Sequence, residues 1–178
     1  IYFFTDEAAN TVLAAEFAHN GLRDASGQLF PLYFANTEKL SLGVSVYAQL
    51  IPYLLFGASI AVTRGTSALV ALSGAAAVGL ILKDIFRLRL AWLGVLLLVI
   101  APAWFLHSRT AFETSLYASL FAWFLYFYLR YRSGQVRAVI PAVIFGALGI
   151  PAAHHLRVLF WGILTALLLR AVMIFAGA

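Results

Sequence analysis

Apolar positions in this chain fall into long runs separated by short polar knots, and only the opening stretch up to Lys39 breaks that rhythm. The first run, Leu42 to Phe56, reaches roughly 22 Å as a helix, against a hydrocarbon core of about 30 Å. Gln49 and Pro52 interrupt it, so it reads as a helix lying at a membrane interface. Ser59 to Leu82 is long enough to cross and carries Arg64 in its first two turns. Leu90 to Leu106 and Ala111 to Leu129 predict a second and a third crossing. Val139 to Ala153, broken by Pro141 and Pro151, predicts a tilted fourth. Val158 to Phe175, with Arg170 inside it, predicts a returning fifth.

The opening stretch follows other rules. Residues 6–20 read as a short amphipathic helix, with Thr5 suited to the N-cap and Asp6 and Glu7 to the positive first turn. Gly21 suits the C-terminal stop. Ala9, Leu13 and Phe17 recur every four residues and would share a buried face. From Gly21 to Lys39 no period is visible; a connection of that length is functional or disordered, and Phe30, Tyr33 and Phe34 argue against disorder. The chain therefore divides into residues 1–58, an external loop with amphipathic helices, and 59–178, with four to five membrane spans. The predicted fold class is all-α: a polytopic membrane helix bundle whose first external loop bears an interfacial helix.

Composition sharpens this picture. Hydrophobic residues make up 63% of the chain and charged residues 11%, whereas a soluble domain carries about 25% charged residues. The net charge of +5 is no nucleic-acid signature, because the Arg and Lys residues sit between apolar runs, where they set topology. With no cysteine, a disulfide framework, a zinc–thiolate site and a thiol nucleophile are excluded. The chain starts at Ile1 and ends within an apolar run at Ala176-Gly177-Ala178, which reads as a fragment of a longer protein.

Charge also orients the spans. Lys83–Arg89 and Arg130–Arg137 are separated by two crossings, so they share a side, and the positive-inside rule makes it cytoplasmic. Trp123, Tyr126, Tyr128 and Tyr131 would form an aromatic belt above it. One crossing before Lys83 puts the Ser59 end outside, together with the acidic opening loop. That parity places Asp6/Glu7, Arg64 and Arg109/Glu113 on one external face.

Each polar knot has a chemical and a structural reading. Adjacent carboxylates on a helix point about a hundred degrees apart, so one of Asp6 and Glu7 can face a pocket as a general base while the other orients it. Alternatively, both simply favour a helix N-terminus. Arg64 beside an external cavity suits a lipid-borne phosphate, or it snorkels to the interface. Thr110-x-x-Glu113 forms a capping box, and Arg109 and Glu113 an i,i+4 ion pair. His154-His155 lacks further ligands for a metal.

In this order and spacing, the residues resemble the GT-C superfamily of polytopic glycosyltransferases. The likeness is closest to the family 39 protein-mannosyltransferase type and the bacterial aminoarabinose transferase of lipid A. Asp6-Glu7 resembles the family's acidic pair in the first external loop, and Gly21, Gly27 and Phe30-Pro31 its continuation. Glu38-Lys39, followed by an interfacial helix and Leu55-Phe56-Gly57, resembles the segment whose lysine contacts the lipid phosphate. Arg64 matches the arginine opening the next helix, and Ala101-Pro102 with His107-Ser108-Arg109-Thr110-Ala111 and Glu113 the second external motif. The likeness covers residues 4–132. Leu40 stands where a proline often follows the lysine, and Glu113 replaces the aspartate of some relatives, so metal dependence is not carried over.

The resemblance implies inverting transfer of a sugar from a polyprenyl-phosphate donor to a glycan, lipid or protein acceptor. Its site would face the periplasm or exterior of a bacterial inner membrane. It assigns Asp6 as general base supported by Glu7, and Lys39, Arg64 and Arg109 as cations holding the departing lipid phosphate. Glu113 would orient the acceptor or an arginine. No cofactor and no nucleic-acid partner is called for, and a divalent cation is left open. Two rivals remain. A transporter or flippase of lipid-linked saccharides would show repeated broken helices, which are absent from the sequence pattern; a non-catalytic membrane scaffold would let the polar residues diverge in space.

Overall fold

A computed structural model describes residues 5–36, 39–108 and 113–152, with side chains described for residues 7–35, 41–108 and 113–149. Helix α1 (Thr5–His19) is followed by a loop and a two-stranded antiparallel hairpin, β1 (Tyr33–Asn36) and β2 (Lys39–Leu42). Then come α2 (Gly43–Phe56), α3 (Ile60–Leu80) running into a π-helical turn (Ile81–Ile85), α4 (Ala91–Ile100) and α5 (Pro102–His107). The described part closes with α6 (Glu113–Arg132) and α7 (Val139–Ala152). The predominantly helical expectation holds. The hairpin departs from it, occupying part of the stretch that shows no period in sequence.

Packing of α1 follows a helical stripe wider than its apolar residues suggest. Leu13 and Phe17 are buried, but so are Glu7, Asn10 and Ala14, while Ala9 is only half-buried. Phe17 packs edge-on against Phe34 and lies beside Tyr47 of α2, with ring centroids 5.2 and 5.5 Å away. Edge-to-face geometry suits the aromatic quadrupoles. This small core ties α1, the hairpin and α2 together. The loop is clamped to α2 by two further bonds: the Tyr47 hydroxyl donates to the Pro31 carbonyl at 2.6 Å, and the Gly43 N–H to the Leu32 carbonyl at 2.8 Å. Any Cβ at Gly43 would meet those two backbone oxygens at 2.7 and 2.8 Å, so only glycine allows that approach. The outer side of α2, with Ile51, Leu54, Leu55 and Phe56, stays exposed.

Helix α3 and its π turn form one rod, Ile60–Ile85, of 26 residues, long and apolar enough to cross a membrane. Ser59 caps its start, its hydroxyl accepting the Val62 N–H at 3.1 Å. The face that α3 turns inward is built of small residues (Thr63, Ser67, Ala71, Gly74, Ala75 and Ala77). That lets α6 approach closely, the usual device where helices pack in an apolar solvent.

The predicted second crossing, Leu90 to Leu106, is divided. Ala101 adopts φ −56° and ψ 126° between α4 and α5, because the ring of Pro102 disfavours a helical conformation at the residue before it. Helices α6 and α7 pack through Trp123, Phe127 and Phe145, whose rings stack at 5.7–5.8 Å. The aromatic belt is corrected in one member: Tyr126 is buried, and its hydroxyl donates to Asp84 at 2.8 Å, so it faces α3. Pro141, in the first turn of α7, leaves that helix continuous, because the first N–H groups of a helix have no partner to lose. His154, His155 and the predicted last crossing lie outside the described residues.

Candidate functional site

Two long-range contacts fix which ends of the helices meet. At one end, Asp84 of the π turn binds Tyr126, and Arg130 donates both to the Tyr126 hydroxyl at 3.0 Å and to Gln135 at 2.7 Å. The two basic turns, Lys83–Arg89 and Arg130–Arg137, therefore share an end, as the sequence requires. At the opposite end of α3, the first turns of α1 and α3 and the start of α6 converge.

That convergence is built from polar groups. Glu7 is fully buried and meets Arg64 in a two-point contact, Nη2 to Oε2 at 3.0 Å and Nε to Oε1 at 3.3 Å. The arginine side chain keeps 25% of its surface exposed, so the pair sits at the edge of the packed region with its carboxylate inside. A buried carboxylate without a partner is prohibitively unfavourable, and Arg64 removes that penalty. Thr11 and Thr63, each adjacent to this level of its helix, share a hydrogen bond of 2.7 Å. Gln49 of α2 donates to the Thr63 carbonyl at 3.3 Å. Thus α1, α2 and α3 are locked at one height.

Glu113 closes the fourth side. Its Oε1 accepts the Leu42 N–H at 2.9 Å; the Ser45 hydroxyl, which donates to the Leu42 carbonyl at 2.7 Å, lies 3.5 Å from both Glu113 Oε1 and Asn10 Oδ1. Beneath runs a small cavity of about 20 Å³, lined in part by Asn10, Ser45, Gln49 and Ser67 together with Ala48 and Val70. Ser115 borders an apolar crevice of about 150 Å³ between α3, α5 and α6, lined in part by Ala71, Trp104, His107 and Ala118.

Of the sequence-predicted site residues, the structure brings Glu7 and Arg64 into contact and sets Glu113 on the same polar level. The side chains of Asp6 and Lys39, and all of Arg109, lie outside the described residues, as does the expected Arg109–Glu113 pair. Sequence reasoning missed Asn10, Ser45 and Gln49. Asn10 and Gln49 lie one helical turn or so from Glu7 and Ser45, and that i,i+3/i,i+4 polar spacing was the available signal. Among the described residues, no group of three His, Asp or Glu side chains is arranged to hold a metal ion.

No family model matches the chain, and no solved structure matches it. A 35-residue stretch, 20% of this chain, is 74% identical to a Myxococcus xanthus protein described as uncharacterized membrane protein STKORF319, of which it covers 11%. The chain thus resembles, over a short stretch, a protein described as a membrane protein, and it holds a helix able to span a bilayer.

Proposed function

We propose that this chain is the catalytic portion of a GT-C-type membrane glycosyltransferase. In this reading it moves a sugar from a polyprenyl-phosphate donor to an acceptor on the external side of a bacterial inner membrane. The observation that carries the proposal is the meeting of Glu7, Arg64 and Glu113 at the end of α3 opposite the basic turns. A lipid phosphate enters an active site at the level of the headgroups, so its binding cation must be held there and not deep in the apolar layer. Arg64, part-exposed and anchored through Glu7 near the start of α3, would serve as that cation. A guanidinium pre-positioned by a buried carboxylate loses little freedom when it takes up a phosphate.

Glu7 is committed to Arg64, which suits a supporting role and leaves the general base to Asp6, as the family resemblance assigns it. In-line displacement at the anomeric carbon needs a base on the acceptor hydroxyl and cations on the departing phosphate. Lys39, Arg64 and Arg109 are the cations the resemblance supplies. Glu113, bound to Leu42 just before α2, would hold the start of α6 against the site.

Incubation of the membrane-embedded protein with labelled polyprenyl-phosphate sugars and candidate acceptors tests the reading directly. Transfer should appear with inversion and vanish in Asp6→Asn while the protein stays folded. Turnover retained by that variant would move the base elsewhere, and no transfer from any lipid-linked donor would remove the proposal.

A further inference from the structure

A second cavity, of about 230 Å³, lies between the C-terminal half of α1, the following loop and β1. Leu13, the lining residue nearest to Glu7 in α1, is six positions beyond it, roughly 9 Å along the axis. The helical faces of Leu13, Glu16, Phe17 and Asn20 centre roughly a third of a turn away from that of Glu7. This cavity is therefore separate from the Glu7–Arg64–Glu113 level.

Its lining combines an apolar floor with uncommitted polar groups. Leu13, Phe17 and Phe34 are buried beneath it, and Tyr33 is half-buried at its edge. Around them stand Glu16, Asn20, Arg23 and Asp24. Among the described residues, the Glu16 carboxylate and the Asn20 amide have no hydrogen-bond partner. Arg23 uses only Nη1, which donates to the Gly27 carbonyl at 2.8 Å. Asp24 uses only Oδ1, which accepts from the Ser26 N–H and hydroxyl and from the Gln28 N–H at 2.7–3.0 Å. The rim itself is firm, because those bonds close the loop on itself.

From this lining we infer that the cavity is a saccharide-binding site for a neutral or amino-bearing pyranose. A pyranose presents C–H faces that suit the apolar floor, and vicinal hydroxyls that suit carboxylate and amide groups able to accept and donate in pairs. Two carboxylates against one guanidinium select against anionic sugars. Its volume admits a single ring. Resting on the transferase reading above, the inference extends to the acceptor: the site holds a sugar unit of an acceptor glycan beside the reaction centre.

Saturation-transfer NMR on the protein in nanodiscs, with methyl glucoside, N-acetylglucosamine, glucosamine and glucuronate, tests the site. Binding of the neutral and amino sugars is expected, with glucuronate excluded. The double variant Glu16→Gln with Asn20→Ala, both at the surface, should weaken binding about tenfold, while Glu7→Gln leaves it unchanged. Absence of binding, equal binding of glucuronate, or unchanged binding in the double variant would overturn the inference. With a lipid-linked donor, the double variant should raise the acceptor KM and leave kcat intact. Saccharide binding without any transfer would support the site and sink the transferase reading alone.

Discussion

The Glu113 carboxylate accepts the backbone N–H of Leu42 at 2.9 Å across 71 residues of chain. Leu42 is buried where β2 passes into α2, so its N–H has no solvent to turn to. The contact makes one side chain responsible for docking α6 on the hairpin and α2. Glu113→Gln retains an acceptor oxygen and should leave thermal stability in detergent nearly unchanged. Glu113→Ala orphans the Leu42 N–H and should lower stability by about 1–3 kcal/mol. Equal losses in the two variants would show that the charge, and not the hydrogen bond, carries the contact.

Glu7 and Arg64 separate stability from chemistry. Arg64→Ala takes the guanidinium away from a fully buried carboxylate, which should destabilise the fold by roughly 3 kcal/mol. Replacing both residues by apolar ones, Glu7→Leu with Arg64→Met, removes the desolvation problem along with the pair. That double variant should return to within about 1 kcal/mol of the parent in denaturant titration. On the proposed function it should nevertheless have lost transfer. A double variant that is both stable and active would deny the pair any part in the reaction.

Much of this arrangement was legible in the sequence because charge and hydrophobic run length act over whole helices. The shared end of Lys83–Arg89 and Arg130–Arg137, the short apolar helix Gly43–Phe56 and the start of α3 near Ser59 all follow from such averages. What escaped depends on single contacts. Neither Tyr126 turning toward Asp84 nor the hairpin within an aperiodic loop is encoded in a period. Glu113 reads in sequence as a local cap, and its bond to the Leu42 N–H, 71 residues away, is one that no local reading can supply. Similarly, the break at Ala101 was announced by Pro102, but the apolar run around it reads as uninterrupted.

Gly74 offers a test of the packing of α3 on α6. A Cβ there would fall 2.6 Å from Ser119 Oγ and 2.9 Å from Ser119 Cα. Because the latter is backbone, rotation of the serine cannot relieve the clash. Gly74→Ala should force the helices apart and destabilise the protein by about 1–3 kcal/mol. Adding Ser119→Gly should recover only part of that loss, a non-additivity readable in a double-mutant cycle.

The loop carrying the second cavity has its own pH dependence. Asp24 titrates below its ordinary value of 3.8, chiefly because the Ser26 hydroxyl binds its charged form, with the Gln28, Ser26 and Gly27 N–H groups adding to the effect. A carboxylate whose folded value is depressed stabilises the loop above the unfolded value. That contribution is lost as pH falls through the folded one. The loop should therefore loosen from about pH 4 downward, seen as faster amide exchange at Ser26 and Gln28. Asp24→Asn keeps an acceptor oxygen without the titrating charge, so exchange in that variant should show no such acid-dependent rise beyond the ordinary chemistry of amide exchange.

Sidedness is the most direct consequence of placing the polar level and the basic turns at opposite ends of α3. The chain has no cysteine, so single cysteines report without any background to remove. Ser26, on the loop after α1, and Ser133, in the turn after α6, are both exposed. A membrane-impermeant maleimide applied to intact cells should label Ser26→Cys and spare Ser133→Cys. Permeabilised cells should show labelling of both. Charge opposes the reverse orientation as well: Arg130, Arg132 and Arg137 flank Ser133, and translocating that turn would move three positive charges against the membrane potential. Labelling of both positions from outside would place the two turns on one side of the bilayer. An even number of crossings would then separate them, against the three that the proposed topology requires, and the placement of Arg64 at the outer leaflet would fall with that topology.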